Sequence, residues 1–165
     1  MRVTDIRRFF IRWFTFAVFL LSSASVYADD DIQVVYRQQV DKPISAVYDR
    51  VYKSLENARF FVVFEPNIGK NIARFSEKWG DDYNRNNISS IRSMVFCNGW
   101  YANKVSNLDP NMLGFCPLHI TLFERDGKTT VLFNRPGIMA ENSPASELLM
   151  KIESEVIEAI KQGLL

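Results

Sequence analysis

Cys116-Pro117-Leu118-His119-Ile120-Thr121-Leu122-Phe123-Glu124-Arg125-Asp126-Gly127-Lys128-Thr129-Thr130-Val131-Leu132-Phe133 is the stretch that decides the fold. Leu118, Ile120 and Leu122 alternate with polar neighbours, the period of a strand with one buried face. Asp126-Gly127 supplies the residue types that tolerate the positive φ angles of a two-residue turn. Thr129 to Phe133 is again rich in β-branched and aromatic residues. The whole reads as an antiparallel hairpin, and a hairpin at the centre of a chain excludes an all-parallel sheet.

Outward from the hairpin, Ile91 to Phe96 reads as a further strand, and Phe60 to Phe64 as another, bounded by Pro66 and Gly69. Ile32, Val34 and Tyr36 alternate in a first strand. Pro43 opens a helix, where its missing N–H costs nothing, and Ile44, Val47, Tyr48, Val51, Leu55 and Ala58 recur at helical steps through it. Ser143 and Pro144 start a last helix with the stripe Ala145, Leu148, Leu149, Ile152, Val156, Ala159 and Ile160, closed by Gly163. Asn98 is placed as the N-cap of a short helix carrying Tyr101, Val105 and Leu108 on one side, ended by Asp109-Pro110. Between Gly69 and Asn87, Ile72, Phe75 and Trp79 are spaced like a short helix face, and residues 80–87 read as a polar loop. Asn87-Ile88-Ser89 matches a glycosylation acceptor, a motif short enough to recur by chance. The expected fold class is α+β: a mainly antiparallel, five-stranded sheet with two long helices packed on one face.

The chain has 165 residues. Arg2, Arg7, Arg8 and Arg12 precede the apolar run Trp13 to Leu21, small residues follow, and Val26-Tyr27-Ala28 fits a cleavage site. This order is that of a secretory signal peptide. The run is too short to span a bilayer, which takes about 20 apolar residues. The expectation is therefore a signal peptide over 1–28, a single domain over 29–165, and a periplasmic or secreted protein with no membrane association after cleavage. Of the 20 basic and 19 acidic residues, cleavage removes four and one, leaving 16 against 18 and a net charge of −2. With no basic cluster, nucleic acid is excluded as a partner, and there is no polybasic patch for anionic lipid.

Cys97 and Cys116 carry the first chemistry. In an oxidising compartment a cysteine pair reads as a structural disulfide. A loop of 19 steps closed in this way is worth about 3 kcal/mol in the chain-entropy model. Two other readings stay open. Cys97, just outside a helix N-terminus, is placed for a lowered thiol pKa and for redox chemistry with Cys116 as its resolving partner. Cys116 and His119, the single histidine, offer soft and borderline ligands for a metal or haem. Strand alternation opposes that last reading, since positions 116 and 119 face opposite ways, and the absence of C-x-x-C-H excludes standard covalent haem attachment. No G-x-S-x-G and no glycine-rich phosphate loop occurs. Glu153, Glu155 and Glu158 read as a solvated helix face. Trp100 lies off the Tyr101–Val105–Leu108 stripe and is placed to line a pocket.

The helix over 44–58 followed by Phe60-Phe61-Val62-Val63, then Val95-Phe96-Cys97-Asn98, Leu108-Asp109-Pro110, Cys116-Pro117-Leu118-His119-Ile120 and the strand pair around Asp126-Gly127 ending at Pro136, come in an order and spacing that resemble domain-of-unknown-function family 302. The resemblance runs from about Val34 to Gln162. It implies a compact α+β domain, in some members dimeric, so that a homodimer is an expected assembly. Many members lack the cysteine pair, which marks this chain as resembling an exported branch. The family has no settled activity. The reading is thus an exported small binding or interaction domain, braced by Cys97–Cys116 and not catalytic, with no cofactor and a small molecule or protein as partner. Its expected ligand-binding residues are Asn98, Trp100, Tyr101 and His119, with the loop from Leu108 to Pro117, where free N–H groups at a helix start suit an anion.

Overall fold

In the structure, a computed structural model, residues 34–165 are described. The expected signal peptide over 1–28, the acidic start at Asp29–Asp31 and Ile32 of the first strand lie outside them. Five strands, β1 (Val35–Val40), β2 (Phe61–Phe64), β3 (Ser90–Cys97), β4 (Leu118–Arg125) and β5 (Lys128–Asn134), form one sheet in the order β1-β5-β4-β3-β2, and every neighbouring pair is antiparallel. The helices are α1 (Ile44–Asn57), α2 (Ile68–Ala73), α3 (Ser76–Trp79), α4 (Gly99–Leu108), α5 (Pro136–Met139) and α6 (Ser146–Leu164). The α+β class is as expected, and among the described residues no helix is long and apolar enough to cross a membrane.

The central hairpin forms as its turn residues require. Asp126 and Gly127 take φ angles of 53° and 72°, and Arg125 pairs with Lys128 across them. That register puts Ile120 opposite Phe133 and Leu122 opposite Val131, and these four are buried together with Met94 and Phe96 of β3. One face of the sheet is therefore apolar, and α1 and α6 cover it with Val47, Val51 and Leu55 from the first and Leu149, Ile152, Val156 and Ile160 from the second. The other face carries Arg37, Gln39, Phe123, Arg125 and Thr130.

The ends of α1 and α6 are completed from a distance. Pro43 takes the N-cap position of α1, one residue before the expected place, and gives no side-chain bond. Glu124 of β4 supplies the missing acceptor: its Oε2 takes the Ile44 N–H at 2.8 Å, a carboxylate at the positive end of the helix. At the far end of α6, Lys42 Nζ donates to the carbonyl of Leu164 at 3.3 Å, where a cation meets the negative end.

Several expectations are corrected. Gly163 does not close the last helix: it is buried inside α6, and a Cβ there would lie 2.5 Å from Val51 Cα. Only glycine lets the two helices cross so closely. Ser143 and Pro144 precede α6 rather than beginning it, although Ser143 Oγ does accept the Ala145 N–H at 3.1 Å. The segment read as a loop after Pro136 begins with α5, and a 3₁₀ stretch over Pro110–Phe115, capped by Asp109, follows α4. Phe75 and Trp79 do not enter the core; they stack on each other at 5.1 Å and stay 47% and 41% exposed. Leu108 is likewise exposed. On the edge strand β2, Val62 faces Phe96 but Phe64 faces Val95, so Val63 is left over as a bulge.

Gly163→Ala is expected to destabilise the fold by about 1–3 kcal/mol, the usual range for overpacking a filled contact. Urea unfolding checks this through the midpoint at constant slope. An unchanged midpoint would mean that the last turn of α6 does not bear on α1.

Candidate functional site

Asn98 caps α4 as expected. Its Oδ1 accepts the Tyr101 N–H at 3.1 Å, in the place of a missing intrahelical bond. The cap fixes the exit of β3 into α4, and so sets Cys97 at the last position of the strand, directly before the helix N-terminus. The 3₁₀ stretch over Pro110–Phe115 then folds back under α4 and delivers Phe115 and Cys116 to the same place. Phe60, Leu149 and Ile152 close the far wall. The result is a single small cavity of about 20 Å³, walled by apolar groups, with Cys97, Asn98, Tyr101 and Cys116 at its boundary.

The two cysteines are brought together but not bonded: both are free thiols. The disulfide expected for this pair is thus not formed in the structure. Burial, and then the charge and hydrogen bonding of neighbouring Cys97, push the Cys116 thiol above its ordinary pKa. Charged thiolate is disfavoured in an apolar wall and beside a second sulfur, so Cys116 stays protonated at neutral pH.

Tyr101 lines the cavity with its ring, stacked on Phe60 at 6.2 Å, and turns its hydroxyl outward. That hydroxyl donates to Glu155 Oε1 and Oε2 at 2.8 and 2.9 Å. Burial and then the Glu155 carboxylate push the phenol up to about 12, since ionising it would set a second negative charge beside the first. Glu155, read from sequence as solvated, therefore anchors α4 to α6.

The remaining expected site residues do not join. Trp100 is 64% exposed and outside the cavity, with the Lys104 ammonium 4.9 Å above its ring. It points away because the apolar side of α4 is set by Tyr101 and Val105. His119 is exposed and pairs with Val95 on the open face of the sheet, whereas the cavity lies on the covered side. Cys116 precedes β4, which begins at Leu118, and lines the cavity, whereas His119 does not. Among the described residues no group of three or more His, Cys, Asp or Glu could hold a metal ion.

Phe60 and Ile152 are cavity residues that the sequence showed only as parts of a strand and of a helix stripe, whereas Phe115 lies in the loop from Leu108 to Pro117 expected at the site. A polar cleft of about 320 Å³ between Lys70, Tyr83 and Ser90 is larger, but it is open and gathers no second charge beside Lys70.

Other ionisable groups are held in structural bonds. Glu153, 5% exposed, takes Arg135 Nε at 2.7 Å and the Gly137 N–H at 2.9 Å, which corrects its reading as a solvated residue and pins α5 to α6. Tyr48 is buried with its hydroxyl donating to Glu65 at 2.8 Å and the Arg92 guanidinium 3.4 Å over its ring; burial, then Glu65, raise its phenol well above the ordinary value. Asp109 accepts the Ser143 hydroxyl at 2.7 Å, and this bond lowers its carboxyl below the usual range.

The family model described as Domain of unknown function DUF302 matches residues 36–163, nearly all of the described chain. The chain belongs to the DUF302 family. An uncharacterised conserved DUF302 protein from Bacillus stearothermophilus, known from its crystal structure, is similar with a TM-score of 0.67 and 19% sequence identity, over 79% of this chain and 98% of that one. At that identity the likeness carries the DUF302 fold alone. No curated protein matches the chain.

Two outcomes check the site. Asn98→Ala is expected to lose about 1 kcal/mol of stability by removing the cap, read by denaturant unfolding; no loss would detach the cap from the helix. Because the Tyr101 phenol is raised above its unfolded value, it adds stability that is present below about pH 10 and is lost as pH rises towards 12. Tyr101→Phe should remove that alkaline loss and one late-ionising phenol in an ultraviolet titration. Loss of an early-ionising phenol instead would refute the assignment.

Proposed function

We propose that this DUF302 protein is an exported, non-catalytic binding domain whose working element is the dithiol cavity at the start of α4. One observation carries the reading: two free thiols from distant parts of the chain meet in one small apolar cavity. The wider setting supports it. Glu65, Glu124, Glu153 and Glu155 are each bonded to structural partners, which leaves the cysteine pair as the reactive chemistry near a cavity. Residues 1–28 act as the export signal in this reading, cleaved after Ala28, and the cysteine pair belongs to an exported branch of the family. The partner is a small species reaching the cavity, or a second copy of the chain as a homodimer.

A second reading is favoured by the same proximity. In it Cys97 and Cys116 cycle between dithiol and disulfide. Cys97 thiolate attacks a small-molecule disulfide and releases one thiol; Cys116 then attacks Cys97 Sγ and releases the other. Two electrons and two protons pass from the pair to the small disulfide, which leaves as two thiols. Permanently closed, the pair would be the structural brace that its compartment suggests.

Intact mass of the exported protein, with thiol alkylation before and after reduction, tests this. The binding reading expects a mass matching residues 29–165 with two alkylated thiols before reduction. A mass lower by two hydrogens, with no alkylation until reduction, would favour the disulfide. An uncleaved chain would overturn the export assignment.

A further inference from the structure

Resting on the reading of the dithiol cavity as a binding site, we infer that the cavity takes one soft monovalent metal ion, Cu(I) in a cell, held linearly between Cys97 Sγ and Cys116 Sγ. Size decides first. Organic ligands occupy pockets of roughly 300–1,000 Å³, whereas the room here is about 20 Å³, close to that of one water. A single ion fits such a space without moving the walls.

The donors decide which ion. The cavity offers two thiols set in Phe60, Phe115, Leu149 and Ile152, with no carboxylate in its lining. Hard cations such as Ca²⁺ and Mg²⁺ take six or more oxygens, carboxylates among them, and find no carboxylate here. Zinc takes four ligands or three and a water, and among the described residues no third His, Cys, Asp or Glu joins the pair. Thiolates are soft and select Cu(I), an ion satisfied by two of them in line. The complex forms by displacement: two thiols and one monovalent ion give a bis-thiolate of net charge −1 and two released protons. That charge lies at the N-terminus of the ten-residue α4, whose partial positive charge favours it. The one carboxylate bonded to a cavity residue, Glu155, is turned onto the outward hydroxyl of Tyr101.

The experiment is an anaerobic titration of the reduced, exported protein with Cu(I) against bathocuproine disulfonate. One ion per chain is expected. Cys97→Ser and Cys116→Ser should each weaken binding by more than the roughly 100-fold that loss of an outer partner can cost, while His119→Ala leaves it unchanged. Amide NMR spectra of the serine variants check that the fold is kept. Equal affinity in the double-serine variant or in the urea-unfolded chain would overturn the site, as would one ion shared between two chains. No Cu(I) uptake by the folded, reduced protein overturns the metal assignment and leaves the reading of the cavity as a binding site standing. A disulfide in every exported molecule overturns that reading itself.

Discussion

The tight crossing of α6 over α1, with Gly163 against Val51, governs the rest. A sheet with one apolar face is stable only when that face is covered, and here two helices share the task. They can lie side by side over the sheet because one of them has no side chain where they cross. Removing that freedom would lift α6 from the sheet, and with it Leu149 and Ile152, which form a wall of the dithiol cavity. The cavity is thus a by-product of how tightly the covering layer closes. It is small because the layer closes well.

Around this layer the polar groups act over long sequence distances. Glu124 on β4 completes the start of α1, Lys42 completes the end of α6, Glu153 ties α5 to α6, and Glu155 ties α4 to α6. The first three bonds satisfy a helix end or a buried charge that would otherwise be costly. Those of Glu124, Lys42 and Glu155 also join elements the chain does not join in sequence. The acidic residues of the DUF302 domain are in this way part of its frame, and the two thiols are set apart from them by chemistry as well as place.

The strands, the two long helices and the hairpin turn were legible because hydrophobic period and turn chemistry act locally. Leu118, Ile120 and Leu122 show their shared face in three residues, and Asp126-Gly127 shows its turn in two. The cap at Asn98 was legible for the same reason. Glu153 was not: its neighbours place it beside the apolar stripe of α6, and only Arg135, eighteen residues earlier, explains its burial. Gly163 was read as a stop signal because helix-ending and helix-crossing glycines look alike until Val51 is in view. Trp100 and His119 lie outside the cavity for a geometric reason, since neither the rotation of α4 nor the face of β4 that borders the cavity is written in the identity of a single residue. The meeting of Cys97 with Cys116 was suggested by their number and by the expected export, but the apolar cavity around them came only from the folding back of Pro110–Phe115.

The leftover residue on β2 has a consequence of a different kind. Phe61-Val62-Val63-Phe64 is short, uncharged, strongly β-prone and at the rim of the sheet, the sort of segment that recruits identical strands into fibrils. With Val63 standing outside the ladder, the rim does not offer an even row of donors and acceptors, and a sixth strand of the same sequence would find its register broken after two residues. An extra residue in one strand thus serves as the chain's protection against self-templated aggregation.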